Sequence, residues 1–437
     1  MPLDTKNRII CTGCSLLCDD IATSVQFNAI QKVYNACLRG NEKIHYSSNK
    51  ARLKEPLLSP NGNNADQKTV SYDEALESVA ELLKSGKKIA ITGLYKISNG
   101  AQAAALELAK KIDATLLLED LDVHKWINKA ISKVGINYFT LGESINNSDM
   151  IVFWGSNPID DAPKLVVKSV FSRGRYRQTG KEVKKFVVID DYPTPTMERA
   201  DVKLIIPGQK HKLFLMQLLK ELLKNGIITR KQLEKMDFSI EAIEKIAEPD
   251  PTIKSQLNDL ISQLKYTEYI TIFLGTAILN KQFLNENIDY LEKFLSLITA
   301  LNEKMRVALI PLKYSYNSTG FFQEYEMSDK SVNIIDLHHA FNSKSDYDVL
   351  LCIGSDIISK LSIDNLNNLQ DTSIIALDYK HTPTTELSHV IIPVAITGLE
   401  SEGLVTRMDN IVLKLTAPLK NSLLDDENVL NRLLELI

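Results

Sequence analysis

Four of the five cysteines stand near the start of the chain, in CTGCSLLCDD and NACLRG: Cys11, Cys14, Cys18 and Cys37. The spacing is C-x2-C-x3-C, with a fourth Cys after eighteen further residues. Three thiolates that close can converge on one inorganic centre, and the fourth can close it from a later turn. Zinc usually takes a C-x2-C pair repeated downstream. A triplet plus a remote Cys suits an iron–sulfur cube, with one thiolate per iron. The competing reading is four free cysteines buried as small hydrophobes, which their clustering disfavours. The fifth, Cys352 in VLLCIG, reads as a buried thiol.

A second chemistry comes from two stretches that echo each other. One runs from MIVFWGSNP through FVVIDDYPTPT to VKLIIP; the other runs from VLLCIGSD through IIALDYKHTPTT to HVIIP. Each has a strand ending in Gly-Ser, a strand ending in Asp-Tyr or Asp-Asp-Tyr, a Thr-Pro-Thr, and a strand closing on Ile-Ile-Pro. In open α/β sheets, ligands sit at the carboxyl ends of strands. The loops to watch are therefore Gly155-Ser156-Asn157 with Asp190, and Gly354-Ser355-Asp356 with Asp378. Each offers small residues that let backbone N–H groups approach a phosphate, and a carboxylate able to hold a ribose or a base edge. Two similar half-sites predict one large ligand or two nucleotide tails. With no G-x-G-x-x-G and no P-loop, a simple NAD or ATP site is disfavoured. The loop GLESEGLVTRMDN (398–410) crowds Glu400, Glu402, Arg407 and Asp409 together. It reads either as a solvated hairpin or as a loop over a polyanion, with Arg407 on phosphate. His338-His339 read as surface residues and Trp154 as core. The basic run at 173–181 reads as a solvated loop, with phosphates or a polyglutamyl carrier as the alternative.

The elements that must position these residues are α/β. Apolar strand-like runs (KKIAITG, ATLLLE, DMIVFW, KKFVVID, YITIFLG, RVALIP, SIIALD) alternate with helical ones such as AQAAALELAKKI and HKLFLMQLLKELLKNG. Strands apolar on both faces and separated by helices predict doubly wound parallel sheet. IICTG and ATSVQ predict a small β-rich knuckle around the cysteines. Ser71 with Glu74 reads as a capping box opening a helix that Gly86 stops. The Asn- and Gly-rich SPNGNNADQKT reads as a linker. Expected units are 1–56 (cysteine cluster), 57–145 (α/β, completed by later segments), 146–265 (first nucleotide-binding-like half) and 266–437 (second half and closing loop). The 437 residues are 44% hydrophobic and 24% charged, with formal net charge −4. That is ordinary for a soluble protein and gives no electrostatic case for nucleic acid or an anionic membrane. No signal-like start or membrane-length apolar run is visible, so a reducing cytoplasm without disulfides is expected.

Together these motifs resemble the molybdopterin-dependent formate dehydrogenase superfamily, and within it the family of formylmethanofuran dehydrogenase B subunits. The resemblance is carried by CTGCSLLCDDI, NACLRGNEK, FWGSNP, VIDDYPTPT, LIPLKYSYNSTG and HTPTTELSHVIIPVAITGLESEGLVTRMDN, and covers essentially the full length. It implies a [4Fe–4S] cluster on Cys11, Cys14, Cys18 and Cys37. It implies a fold built around two pterin-guanine-dinucleotide tails, that is, bis-molybdopterin guanine dinucleotide with molybdenum or tungsten. It also implies work beside A, C and D type subunits.

Two departures bear on activity. In catalytic relatives a Cys or selenocysteine, followed at once by His, binds the metal; that pair falls here on Val123-His124. Valine cannot ligate a soft metal, and no Cys lies between 38 and 351. The active-site arginine falls on Lys313, which lacks the planar fork that holds a carboxylate or formyl oxygen. The resemblance is therefore strongest to the formyltransferase/hydrolase branch, where the B-type chain is a scaffold with a vestigial redox site. A working molybdenum or tungsten oxidoreductase subunit is the alternative. A zinc- or cluster-bearing α/β binding protein is a third reading.

Overall fold

The computed structural model describes the chain except residues 1–5, 60–61, 63–65, 176–179, 277–288, 314 and 342–346. It divides into two compact units, one of residues 1–121 with 314–437, the other of residues 122–313.

The 122–313 unit is built on five parallel strands in the order Val202–Ile205, Lys185–Asp190, Met150–Trp154, Tyr269–Leu274, Arg306–Pro311. Met150–Trp154 is buried at every position. That fits a central strand covered on both faces, and explains its continuous apolar sequence. Val152 stands in register between Val187 and Ile272. Helices His211–Lys224, Pro251–Leu264 and Tyr290–Leu301 bring Phe214, Leu218, Leu257, Leu260, Phe294 and Ile298 into the same core. Positions 176–179 of the basic run lie outside the described residues.

The other unit carries an eight-stranded sheet in the order Ile334–Asp336, Thr115–Leu118, Ile89–Thr92, Val349–Ile353, Ser373–Asp378, Val390–Pro393, Leu57–Leu58, Lys68–Thr69. The first six strands are parallel and the last two antiparallel. Helices Tyr72–Ser85, Asn99–Lys111 and Asp426–Leu436 pack on its core through Leu76, Val79, Leu108, Val429 and Leu433. The knuckle is a three-stranded antiparallel sheet of Lys6–Ile9, Ile21–Gln26 and Ala29–Tyr34. Gly403–Thr406 and Val412–Leu415 form a hairpin.

Several expectations change here. The units divide at 121/122 and 313/314, not at 56, 145 and 265. Strands 269–274 and 306–311 continue the sheet of 150–205, and strands 349–393 complete one begun at 89–118. The linker does not separate units, because Leu57–Leu58 just before it and Lys68–Thr69 at its end pair with each other at the sheet edge; residues 60–61 and 63–65 between them lie outside the described set. Ser71 does cap its helix, accepting the Glu74 N–H at 3.2 Å. Gly86 does end it, but in extended rather than left-handed backbone. Its requirement is steric: an added Cβ would stand 2.9 Å from Val349 Cγ2. Among the described residues no helix is long and apolar enough to cross a membrane.

Candidate functional site

The echo in sequence is an echo in geometry. In one unit Gly155 turns out of its strand at φ 65°, and its N–H donates to Ile189 O at 2.7 Å; in the other, Gly354 turns at φ 57° and donates to Leu377 O at 2.7 Å. Thr196 Oγ1 donates to Asn157 Oδ1 at 2.7 Å and accepts from Ile159 N–H at 3.1 Å. Thr384 Oγ1 donates to Asp356 Oδ1 at 2.8 Å and accepts from Ile358 N–H at 3.1 Å. Thr194 and Thr382 each cap the turn that follows. Asp190 and Asp378 end equivalent strands, and each accepts the N–H of the next residue. A neighbouring strand closes each loop. A Cβ on Gly275 would meet Gly155 O at 1.9 Å, and one on Gly93 would meet Ile353 O at 1.9 Å, so both positions require glycine.

Both loops are polar, and the aspartate of each is buried. Burial raises the Asp190 carboxyl to about 7, and also raises Asp378. Ser156 is 5% exposed, and its hydroxyl has no hydrogen-bond partner among the described residues. A buried unsatisfied hydroxyl is costly and calls for a ligand. These features fit a nucleotide tail at each loop, held by Gly155, Ser156, Asn157 and Asp190, or by Gly354, Ser355 and Asp378. Arg407 is the expected phosphate contact of the 398–410 loop. It is buried, and its Nε and Nη2 form a two-point pair with Asp409 at 2.7 and 2.9 Å, so its fork is already engaged. Glu400 similarly pairs with buried Arg52. The 398–410 segment is thus a packed hairpin rather than a solvated one.

The cysteine loop is folded tightly. Cys11 N–H donates to Cys18 O at 2.9 Å, Leu17 N–H to Cys14 O at 3.1 Å, and Cys37 stands in extended backbone just before the helix Leu38–His45. Cys11, Cys14 and Cys18 are buried. Burial first, then the neighbouring Cys11 and Cys37, pushes the Cys14 thiol up to about 11. Glycine keeps space open beside the sulfurs. A Cβ on Gly40 would stand 2.8 Å from Cys11 Sγ and 3.9 Å from Cys37 Sγ, and one on Gly13 3.4 Å from Cys11 Sγ. The glycines beside Cys11 and Cys37 leave room for a cluster, whose positive charge would hold its cysteine ligands as thiolates. Among the described residues no three His, Cys, Asp or Glu side chains are placed to hold a single metal ion.

Sequence reasoning missed the cavity beside this loop. It measures about 400 Å³, and Thr12, Gly13, Lys43, Lys96, Asp378 and Asp426 are among its lining. Lys43 Nζ donates to Thr12 O at 3.0 Å and lies 4.4 Å from the centre of the Tyr316 ring. Burial lowers the Lys43 amine to about 8 and raises the Asp426 carboxyl to about 8. Lys43 follows Cys37 closely enough to have been noticed; nothing in DDENVL marks Asp426. Asn317, in the Asn-x-Thr-Gly turn, is a fully buried hub. Its Nδ2 donates to Ile97 O at 2.7 Å and its Oδ1 accepts Thr406 N–H at 2.8 Å.

Val123 and His124 lie on the helix Leu121–Val134. Val123 is 8% exposed and belongs to the core of the 122–313 unit. His124 is buried, and desolvation, then the charge of Lys313, holds its pKa well below the usual value. Burial lowers the Lys313 amine to about 8. A valine in a hydrocarbon core offers no donor, so these residues do not fit a protein-sulfur-bound molybdenum or tungsten. Trp154 is core: its ring packs 4.7 Å from that of Phe294, and Nε1 donates to His211 Nδ1 at 3.4 Å. His338 and His339 are exposed on a short helix. Cys352 is buried.

Residues 52–419 match the family model for molybdopterin oxidoreductase. The chain is 26% identical over 449 aligned positions to the B subunit of the tungsten-containing formylmethanofuran dehydrogenase 2 of Methanococcus maripaludis, with 99% of each chain covered. It is 27% identical to the protein of that name from Methanocaldococcus jannaschii, covering 93% of this chain and 92% of the relative. Among solved structures it is similar to a chain of the formyltransferase/hydrolase complex (FhcABCD) from Methylorubrum extorquens in complex with methylofuran. There the TM-score is 0.59 at 18% identity, over 84% of this chain and 97% of that one. It is also similar to acetylene hydratase from Pelobacter acetylenicus, with a TM-score of 0.62 at 13% identity, over 99% of this chain and 69% of that one. At these identities the structural matches speak to the fold.

Proposed function

This chain belongs to the molybdopterin oxidoreductase family, and on that premise we propose that it is the B-type subunit of a formyltransferase/hydrolase complex homologous to formylmethanofuran dehydrogenase. In one-carbon metabolism such a complex releases formate from the formyl group of formyl-tetrahydromethanopterin. The chemistry belongs to its A and D type partners, and this chain, with a C type partner, supplies the framework. The observation that carries this reading is Val123, a core residue on a helix where a metal-binding sulfur is needed. Lys313 in place of the arginine supports it. The four cysteines would hold a structural [4Fe–4S] cluster, an assignment that suits a reducing cytoplasm. Such a cluster supplies either an electron store or, as here, a covalent tie across the loop.

The test is anaerobic purification of the native complex with iron, molybdenum and tungsten measured together. The reading expects about four irons per chain, neither heavier metal, formate release from the formyl carrier, and no formate-dependent dye reduction. Molybdenum or tungsten near one per chain would overturn it. That result would favour a catalytic oxidoreductase subunit interconverting CO2 or formate with formylmethanofuran, a reading motivated by the near-full-length match to tungsten-containing relatives.

A further inference from the structure

Phe27 and Asn28 form the two-residue turn between strands Ile21–Gln26 and Ala29–Tyr34, with φ 49° and 56°. Positive φ at both positions is what a tight twisted hairpin requires, and Asn-Gly or Asp-Gly is the favoured pair. Asn28 suits its place. A bulky aromatic at φ 49° does not. Phe27 is also 90% exposed. The fold therefore accepts both backbone strain and a solvated aromatic ring at one position, and neither burial nor turn geometry inside this chain calls for it. Strain of this kind persists where the surroundings enforce it, and it marks functional positions.

The tip is also held still. Asn28 Nδ2 donates to Lys420 O at 2.8 Å, and Asn28 Oδ1 accepts Lys420 N–H at 2.8 Å. Residues 21–34 and 411–424 contain Lys32, Lys414 and Lys420 and no Asp or Glu. All three lysines are exposed, as is Arg8 on the adjoining strand, whose carbonyl accepts from Thr416 Oγ1 at 3.2 Å. An exposed aromatic on a pinned turn, with basic side chains around it, is the profile of an interface anchor with an electrostatically steered rim.

We propose that the Phe27 tip is a docking anchor for another subunit of the complex, one that presents an apolar pocket rimmed by carboxylates. The inference rests on the reading above that the chain works inside a complex. A lone ring is a poor membrane device, since stable binding to lipid needs a larger apolar face.

The full-length chain, tagged and purified from its own host, is compared with Phe27→Ala, Phe27→Gly, Phe27→Trp and Lys32→Glu/Lys420→Glu variants for recovery of partner subunits and for affinity toward the remaining assembly. Phe27→Ala should weaken association about tenfold or more, Phe27→Trp should retain it, and the charge reversals should weaken it most at low salt. Phe27→Gly is the decisive variant. It should weaken association while raising the melting temperature of the chain alone, because glycine relieves the turn; that pairing excludes loss by misfolding. If Phe27→Ala and Phe27→Gly assemble as the parent does, the anchor is overturned and the reading of the chain as part of a complex stands. If the parent chain recruits no partner, that reading falls and the anchor with it. If the variants lose only binding to vesicles of phosphatidylserine, a lipid surface replaces the proposal.

Discussion

Asp190 shows how burial converts one side chain into a pH dependence. Its folded pKa stands near 7, against about 3.9 for an unfolded Asp. Below pH about 4 both states hold the proton. Between about 4 and 7 the folded state keeps it and the unfolded state releases it, so rising pH favours unfolding. The contribution is therefore present in acid and lost as pH rises toward 7, with a slope of at most about 1.4 kcal/mol per pH unit. Asp190→Asn should remove it. The stability difference between variant and parent, from urea midpoints at pH 4.5, 6 and 8, should shift toward the variant as pH rises; a constant difference would refute the account. The GSNP and VIDD motifs placed Asp190 at a strand end, but its protonation follows first from burial, which no motif states.

At the level of the strand–loop–strand element, the two halves differ by one atom type that matters. Thr196 bonds an amide oxygen on Asn157, whereas Thr384 bonds a carboxylate on Asp356. A neutral hydrogen bond contributes about 1 kcal/mol and one to a charged group about 1.5–3 kcal/mol. Valine fills the same volume but leaves the Ile159 or Ile358 N–H without its acceptor. Thr384→Val should thus cost more than Thr196→Val, by about 1 kcal/mol in urea unfolding; equal costs would mean that Asp356 is not bonding as an anion. Here the sequence was a good guide, because Thr-Pro-Thr after Asp-Tyr repeats visibly. The Val123 helix was less legible. Spacing put Val123-His124 at the metal position, and only packing shows that the valine side chain belongs to the core.

Across the whole chain, the connectivity of the two sheets makes unequal demands on fragments. The 122–313 unit is one continuous segment with its own five strands and core. Residues 1–121 supply four strands of an eight-stranded sheet whose middle comes from 349–393. Expressed alone, residues 122–313 should give a cooperative urea transition with helix and strand signals by circular dichroism. Residues 1–121 should not, since Ile89–Thr92 would lose its Val349–Ile353 neighbour. A folded 1–121 fragment would show that the division into these two units is wrong.

The apolar runs and their alternation carried the α/β class, nearly every strand and the duplicated loops, because strand burial and helix amphipathy are written locally in residue order. The cysteine spacing raised the expectation of an inorganic centre, which rests on residue order alone. Residue order could not reveal which strands become neighbours. In the 122–313 unit the central strand comes first and the chain adds one flank, then the other. In the second unit one flank, 89–118, precedes the centre by more than two hundred residues. That is why contiguous boundaries at 145 and 265 looked natural and do not divide the fold. It is also why Arg407 could be read as a phosphate ligand: its partner Asp409 was visible two residues away, but whether the pair closes on itself depends on burial, which long-range packing sets.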